Sequence, residues 1–450
     1  MKKYLSALLI TAVFFTACSP QQQPSESSLA EPQTTISTTL QSPVINFEEL
    51  AEKLSGQMAT GDFEETVSLF STEMASKIST DALISAWDNA VLPMGEFVGV
   101  YNVSKQDTDS TITAVIILEY EENGLSVSFS FGETGKIEGM WISYYDIQRE
   151  PVSNEIYEEI PIVVGSGEAA VDGIMTIPVG LEKYPIAVLV HGSGPNDMDE
   201  TIGANKPFRD IARALAEQGI ATVRYNKRYY QHPELSVSAT ATISEEVLED
   251  ASAAIDLAAE HSESVFVIGH SLGGMLAPKI ALDNPEIRGI ISLAGSPRKL
   301  EDIIYDQQMA AASAQGFSEE QLSQLSQDVL AVNDLIKAAE ENDDALYYGV
   351  AGSYWYSLNQ INTPEIVGSL EIPMLFLQGG ADFQIYPDKD FEEWKAILDG
   401  NENASFILYD DLNHIFMQTN GKIDTSEYET KGTVDDKVIS DISKWIKSCA

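Results

Sequence analysis

Cysteine is nearly absent from this 450-residue chain: Cys18 and Cys449 are the only two. Two cysteines at opposite ends cannot build a disulfide scaffold. Basic residues are also scarce, 26 Lys and Arg against 70 Asp and Glu, giving a formal charge of −44. No cluster of Lys and Arg stands out, so nucleic acid, whose binding depends on neutralising phosphates, is excluded as a partner. Direct adhesion to anionic lipid is excluded on the same ground. The acidity reads as solubility in an external or salty medium. After Cys18 no apolar run is long enough to span a bilayer. Histidine is rare too, with five copies, so any general base comes from a short set.

The first residues carry an address. MKK is a basic n-region, and YLSALLITAVFF is an apolar stretch too short for a comfortable membrane span. FTAC follows, with small residues just before Cys18. This resembles a bacterial lipoprotein signal over residues 1–17, with Phe15 where Leu is usual. The alternative is an ordinary signal peptide that happens to contain a cysteine. The resemblance implies that Cys18 becomes the lipid-modified first residue, anchoring the chain outside the cytoplasm to a bacterial membrane. Cys449 is then read as a free thiol in a floppy tail without function. Residues 18–44 contain no aromatics and are rich in Pro, Ser, Thr and Gln. No core can form there, so they read as a flexible tether reaching roughly 30 Å.

Two folded units follow. Over 45–150, apolar residues first recur at helical spacing: Phe47, Leu50, Leu54, then Phe63, Val67, Phe70. From Val98 the period changes to two, and four strand-like stretches are joined at TDS, ENG and ETG. This predicts a small α+β domain. It resembles the small domains of unknown function that precede hydrolases in some secreted bacterial proteins. It contains no histidine and no cysteine, and no catalytic constellation. Over 151–450, uniformly apolar strands alternate with amphipathic helices, which predicts a mostly parallel sheet with helices on both faces. Ligands on such sheets sit at the carboxyl ends of the strands. Residues 298–366 are helical and too long for a simple connection. They are read as a cap inserted over that edge.

The chemistry centres on VFVIGHSLGGM, residues 265–275. By composition alone, Gly-x-Ser-x-Gly occurs by chance in roughly one chain in six of this length. Here it lies between an apolar strand and a helix, which is its confirming context. The turn forces Ser271 into a strained, exposed corner, and the first helix amide, that of Leu272, faces the same space. Of the histidines, His414 lies just past the last major strand, at the edge where Ser271 also sits. His270 is the variable residue of the motif and is read as pointing away. Asp382, just after the preceding strand, is the expected orienting carboxylate, with Asp410 and Asp411 as rivals. The order Ser271, Asp382, His414 fits the α/β-hydrolase pattern. The second oxyanion donor is expected from the Ser193 amide, in the glycine-bearing loop after IAVLVHG.

HGSGPNDMDETIGANKPFRDIARALAEQGIATVRYNKR, GHSLGG, GGADFQIYP and LNHIF together resemble the α/β-hydrolase superfamily. The likeness is to the bacterial serine carboxylesterase branch that includes dienelactone-hydrolase-like proteins and carries a small N-terminal domain. It extends over about residues 46–447. Dienelactone hydrolases proper use a cysteine nucleophile, and the position here is Ser271, so the expectation is serine-ester chemistry. The resemblance implies no metal and no organic cofactor, and a small-molecule ester as substrate. An amidase or peptidase would use the same parts. A non-catalytic surface-binding protein built on the same fold is the other class. Tyr354, Trp355 and Tyr356 in the cap either line a pocket or pack cap against core. Asn205, Lys206 and Phe208 either shape an entrance or, for Lys206, pair with an acid.

Overall fold

The computed structural model describes residues 46–107, 112–121, 123–132, 134–145, 147, 151–236 and 241–450. The expected leader and tether, Cys18 included, lie outside the described residues. The chain divides into two compact units at Pro151.

The N-terminal unit begins with the helices Phe47–Ala59, Glu64–Ser68, Thr72–Lys77 and Thr80–Val91. Asn46, Ser71 and Ser79 cap three of them by accepting backbone N–H groups. An antiparallel meander follows: β1 (Phe97–Asp107), β2 (Ile112–Tyr120), β3 (Gly124–Phe131) and β4 (Ile137–Tyr145), in that order across the sheet. In β3, Leu125, Val127, Phe129 and Phe131 alternate with serines, so one face joins the core. Leu54 and Met58 of the first helix close that core.

The second unit is an eight-stranded sheet: β5 (Tyr157–Val164), β6 (Val171–Pro178), β7 (Ile186–Val190), β8 (Ala221–Tyr225), β9 (Val265–His270), β10 (Gly289–Leu293), then β13 (Met374–Gly379) and β14 (Ala404–Tyr409). A two-stranded hairpin, β11 (Leu346–Tyr347) and β12 (Val350–Ala351), lies outside it. The sheet order is β14-β13-β10-β9-β7-β8-β6-β5. The pairs β5/β6 and β6/β8 are antiparallel and the others parallel. Every residue of β7, β9, β10 and β13 is buried, because both sheet faces are covered. Val188, Val190 and Val267 pack on one side with Ala254, Ile255, Leu276 and Ile280. Ala187, Leu189, Phe266 and Ile268 pack on the other with Phe208, Leu215, Ile439 and Ile442. Each fully buried side chain of this kind contributes about 1.5–3 kcal/mol. From β7 the chain steps to β8 on one side and returns to β9 on the other. The carboxyl ends of β7 and β9 are therefore a switch point, the usual ligand crevice of such sheets.

Between β10 and β13 the chain forms the helices Leu300–Ala314, Glu319–Lys337, Gly352–Asn359 and Thr363–Ser369. The insertion is not wholly helical, since it contains the β11/β12 hairpin. Its turn places Tyr348 (φ 50°) and Gly349 (φ 81°) in the left-handed region a tight hairpin requires. Cys449 is not in a floppy tail. It ends the helix Asp436–Cys449, whose Val438, Ile439, Ile442 and Ile446 are buried against the sheet. That apolar stripe overrides the fraying expected of a chain end.

Candidate active site

The site is built on an elbow. β9 ends at His270 and the helix Leu272–Asp283 begins at Leu272, leaving Ser271 as the single joint. Its φ of 52° and ψ of −113° are rarely adopted by a side-chain-bearing residue. The neighbours impose this conformation. Ser271 donates its amide to Leu293 O at 2.8 Å and accepts from the Met275 amide at 2.9 Å. The flanking glycines are required by contact. A Cβ on Gly269 would lie 2.1 Å from Gly273 O, and one on Gly273 would lie 2.2 Å from Val190 O. Only bare backbone lets β7, β9 and the new helix approach so closely.

The expected base and carboxylate are hydrogen-bonded. His414 Nδ1 lies 2.8 Å from Asp382 Oδ2, and both side chains are buried. A carboxylate only accepts, so Nδ1 carries the proton and Nε2 of the neutral ring is left as acceptor. Asp382 is itself held. Oδ1 accepts from the Gln384 and Ile385 amides at 2.8 and 2.9 Å, and Oδ2 accepts from Gln378 Nε2 at 2.8 Å. The rivals Asp410 and Asp411 are exposed.

Among the described residues Ser271 Oγ makes no hydrogen bond, and none joins it to His414. The two residues are brought near each other through His270, whose ring packs on that of His414 with centroids 4.8 Å apart. His270 Nε2 reaches His414 O at 3.0 Å.

His270, expected to point away from the site, is engaged beside it. Its Nδ1 lies 3.0 Å from Glu200 Oε2. With a carboxylate beside one nitrogen and a carbonyl beside the other, both nitrogens face acceptors, an arrangement that favours the charged ring. Burial disfavours that charge, but the Glu200 carboxylate outweighs it and raises the pKa above the ordinary histidine value. Glu200 is correspondingly lowered, burial being outweighed by the His270 charge. The other Glu200 oxygen accepts the Gly192 amide at 2.6 Å. This buried pair therefore joins the elbow, the His414 loop and the loop after β7. No motif signals it.

That loop carries Ser193. A Cβ on Gly192 would lie 3.2 Å from Ser271 Cβ, which puts the loop directly against the serine. Asn196 Nδ2 spans the Gly192, Ser193 and Gly194 carbonyls at 3.2–3.4 Å. Neither the Ser193 nor the Leu272 amide is taken by a hydrogen bond among the described residues. The remaining histidines serve structure. His191 is buried and held neutral, burial driving its pKa down to about 4, and its Nε2 donates to Asp197 O at 2.9 Å. His232 bonds Ala170 O, and His261 is exposed. Among the described residues no group of three His, Cys, Asp or Glu is placed to hold a metal.

The residues with two open readings resolve. Lys206 pairs with Asp199 at 3.4 Å. Asn205 is buried and ties down Tyr428 O, Thr430 O and Gly432 N, and Phe208 is core. Trp355 is fully buried against Ile304 and Ile336, and Tyr354 turns its hydroxyl onto Glu246.

Residues 188–418 match the family model described as serine aminopeptidase, S33. The chain belongs to this family. It is an α/β-hydrolase. Residues 51–140 match a second model, a protein family of unknown function, DUF3887. The curated relative EstD, named an esterase, from Thermotoga maritima, is 33% identical over 416 residues, covering 89% of this chain and 95% of EstD. Solved structures with lower identity include Est1E from Butyrivibrio proteoclasticus, at 15% identity, 64% of this chain, 96% of that one and a TM-score of 0.39. A dienelactone hydrolase from Anabaena variabilis has 16% identity, 65% and 98% coverage, and a TM-score of 0.39.

Proposed function

We propose that the chain is a serine carboxylesterase displayed outside the cytoplasm on a lipid anchor at Cys18. The observation that carries the reading is the buried Asp382–His414 pair and a strained Ser271, with unengaged amides on the two segments adjoining that serine. In this reading Ser271 Oγ attacks the ester carbonyl while His414 Nε2 takes its proton. The Ser193 and Leu272 amides hold the oxyanion, and Asp382 stabilises the imidazolium. The alcohol leaves with the proton from His414, giving an acyl-enzyme. Water, activated by the same histidine, then releases the carboxylate. The name of the relative EstD supports an ester as substrate. A short acyl chain is proposed because the aromatics Tyr354 and Trp355 are occupied in packing and in the bond to Glu246. The family's description favours one second reading, an amide or aminoacyl substrate handled by the same parts.

The test uses the full chain in mild detergent with p-nitrophenyl esters from acetate to decanoate and an aminoacyl p-nitroanilide. Ser271→Ala and His414→Ala are run in parallel. Turnover that falls with acyl length and is lost in both variants is expected. Turnover confined to the anilide replaces the ester reading by the second. Membrane fractionation of the wild type and of Cys18→Ser tests the anchor, which predicts release of the variant.

A further inference from the structure

Lys227 is a cation with almost no access to water. Its Nζ lies 2.7 Å from Glu246 Oε1 and 2.8 Å from Gly192 O. The second Glu246 oxygen accepts the Tyr354 hydroxyl at 2.5 Å. Burial, then the Glu246 charge, keeps the Tyr354 pKa well above its ordinary value, so the hydroxyl remains a donor. Four parts of the fold meet here. Lys227 follows β8. Glu246 lies on Ser244–Leu248, a widened helical turn. Tyr354 belongs to the cap helix Gly352–Asn359. Gly192 opens the loop that carries Ser193.

A buried ion pair is weak evidence for stability, because well-packed apolar residues of similar volume often do as well. The far end of this one is more informative. Gly192 O and the Ser193 N–H belong to one peptide group, and there are no cis peptides among the described residues. In a planar trans peptide the C=O and N–H point in opposite directions. An ammonium fixed on the oxygen therefore sets the plane and with it the aim of the N–H. It also draws electron density toward the oxygen, which strengthens the N–H as a donor.

Resting on the esterase reading, we propose that Lys227 is a positioning residue that aims and polarises the Ser193 amide for the oxyanion, and that Glu246 links it to Tyr354 of the cap. The cap then bears on the chemical step without touching the reacting atoms.

The experiment compares wild type, Lys227→Met and Tyr354→Phe as full chains. It measures kcat and KM on p-nitrophenyl acetate and the inhibition constants of a matched pair of ketones. The trifluoromethyl ketone adds to Ser271: Oγ bonds to the carbonyl carbon, the C=O pair becomes the oxyanion, and the proton passes to His414. The methyl ketone binds without adding. Lys227→Met is expected to lower kcat about 10²-fold and to weaken the trifluoromethyl ketone by a similar factor. KM and the methyl ketone should stay within threefold. Tyr354→Phe should shift the same two quantities by a smaller factor, about 3- to 10-fold. Folded Lys227→Met with both ketones weakened equally, or with all four quantities within twofold of wild type, overturns the proposal. If Lys227→Met does not fold, Glu246→Gln takes its place with the same selective loss expected, and an unchanged Glu246→Gln overturns it. A wild-type chain that turns over no ester removes the esterase reading instead, so the two failures are distinct.

Discussion

Asp382→Asn is the substitution whose effect the geometry specifies most closely. Four donors converge on this carboxylate: the Gln384 and Ile385 amides on Oδ1, and Gln378 Nε2 and His414 Nδ1 on Oδ2. Asparagine keeps one acceptor and adds two donors. With its oxygen on the backbone amides, its NH2 faces Gln378 and His414. Gln378 has little freedom to turn and offer its own oxygen, because its Nε2 also bonds Gly379 O and Ile385 O, each at 3.2 Å. His414 must then accept at Nδ1, which moves the proton to Nε2, the nitrogen that accepts from Ser271 in the proposed mechanism. The opposite amide orientation leaves two backbone donors facing a donor. Wrong-tautomer substitutions of this kind lower kcat about 10⁴-fold, equivalent to about 5.5 kcal/mol in the barrier. One or two buried donors without acceptors cost about 1–3 kcal/mol each in stability. The assay is kcat on p-nitrophenyl acetate, paired with a urea titration. Asp410→Asn, at an exposed position, should remain within twofold of wild type. Folded Asp382→Asn within tenfold of the wild-type kcat would refute the reasoning.

Three further outcomes follow from the same structure. Gly273→Ala places a methyl group against Val190 O and His191 O. It should destabilise the fold by about 3 kcal/mol and lower kcat as the elbow shifts, and an unchanged urea midpoint would contradict the contact. The His270–Glu200 pair, with Asp382 and His191 as the titratable groups acting on it and the His414 ring packed against it, defines a pH window. The Glu200 contribution is present above its ordinary 4.5 and is lost as pH falls through its lowered folded value. The His270 contribution is complete below 6.5 and is lost as pH rises through its raised folded value. Unfolding free energy should therefore decline on the alkaline side in wild type and less steeply in His270→Asn, and parallel profiles would sink the assignment. Trp355→Ala empties the centre of the cap core and should cost about 3–5 kcal/mol. Hydrogen exchange should rise across the helices Leu300–Ala314 and Glu319–Lys337 while β9 and β10 stay protected, and uniform deprotection would show that the cap does not open separately.

The sheet is legible in the sequence because burial on both faces leaves β7, β9, β10 and β13 apolar throughout, and because helical periods separate them. Glycine at 269 and 273 signals close backbone approach, and chain order places Asp382 and His414 at strand ends. The Asp382–His414 pairing agrees with that order. The supporting charges are not legible. His270 meets His414 O across 144 residues and Lys227 meets Gly192 O across 35, and no periodicity encodes partners at such separations. The direction of the His270 ring depends on Glu200, whose own φ of 51° is set by its loop. The C-terminal helix is written in the spacing of Val438, Ile439, Ile442 and Ile446. Position at a chain end is a poor guide against such a stripe.

The strands that bracket the insertion, β10 and β13, are direct neighbours in register, with Ile290 opposite Met374 and Leu293 opposite Leu377. Because the two strands are parallel, the insertion leaves at the carboxyl end of β10 and rejoins at the amino end of β13, one strand across and a strand length back. Closing such a loop depends only weakly on its length. Descent with modification can thus lengthen, trim or replace this segment while the sheet order is untouched. Under the proposed link through Tyr354 and Glu246, a changed insertion would alter catalytic rate as well as the surface above the sheet, so selection on one trait would be felt in the other.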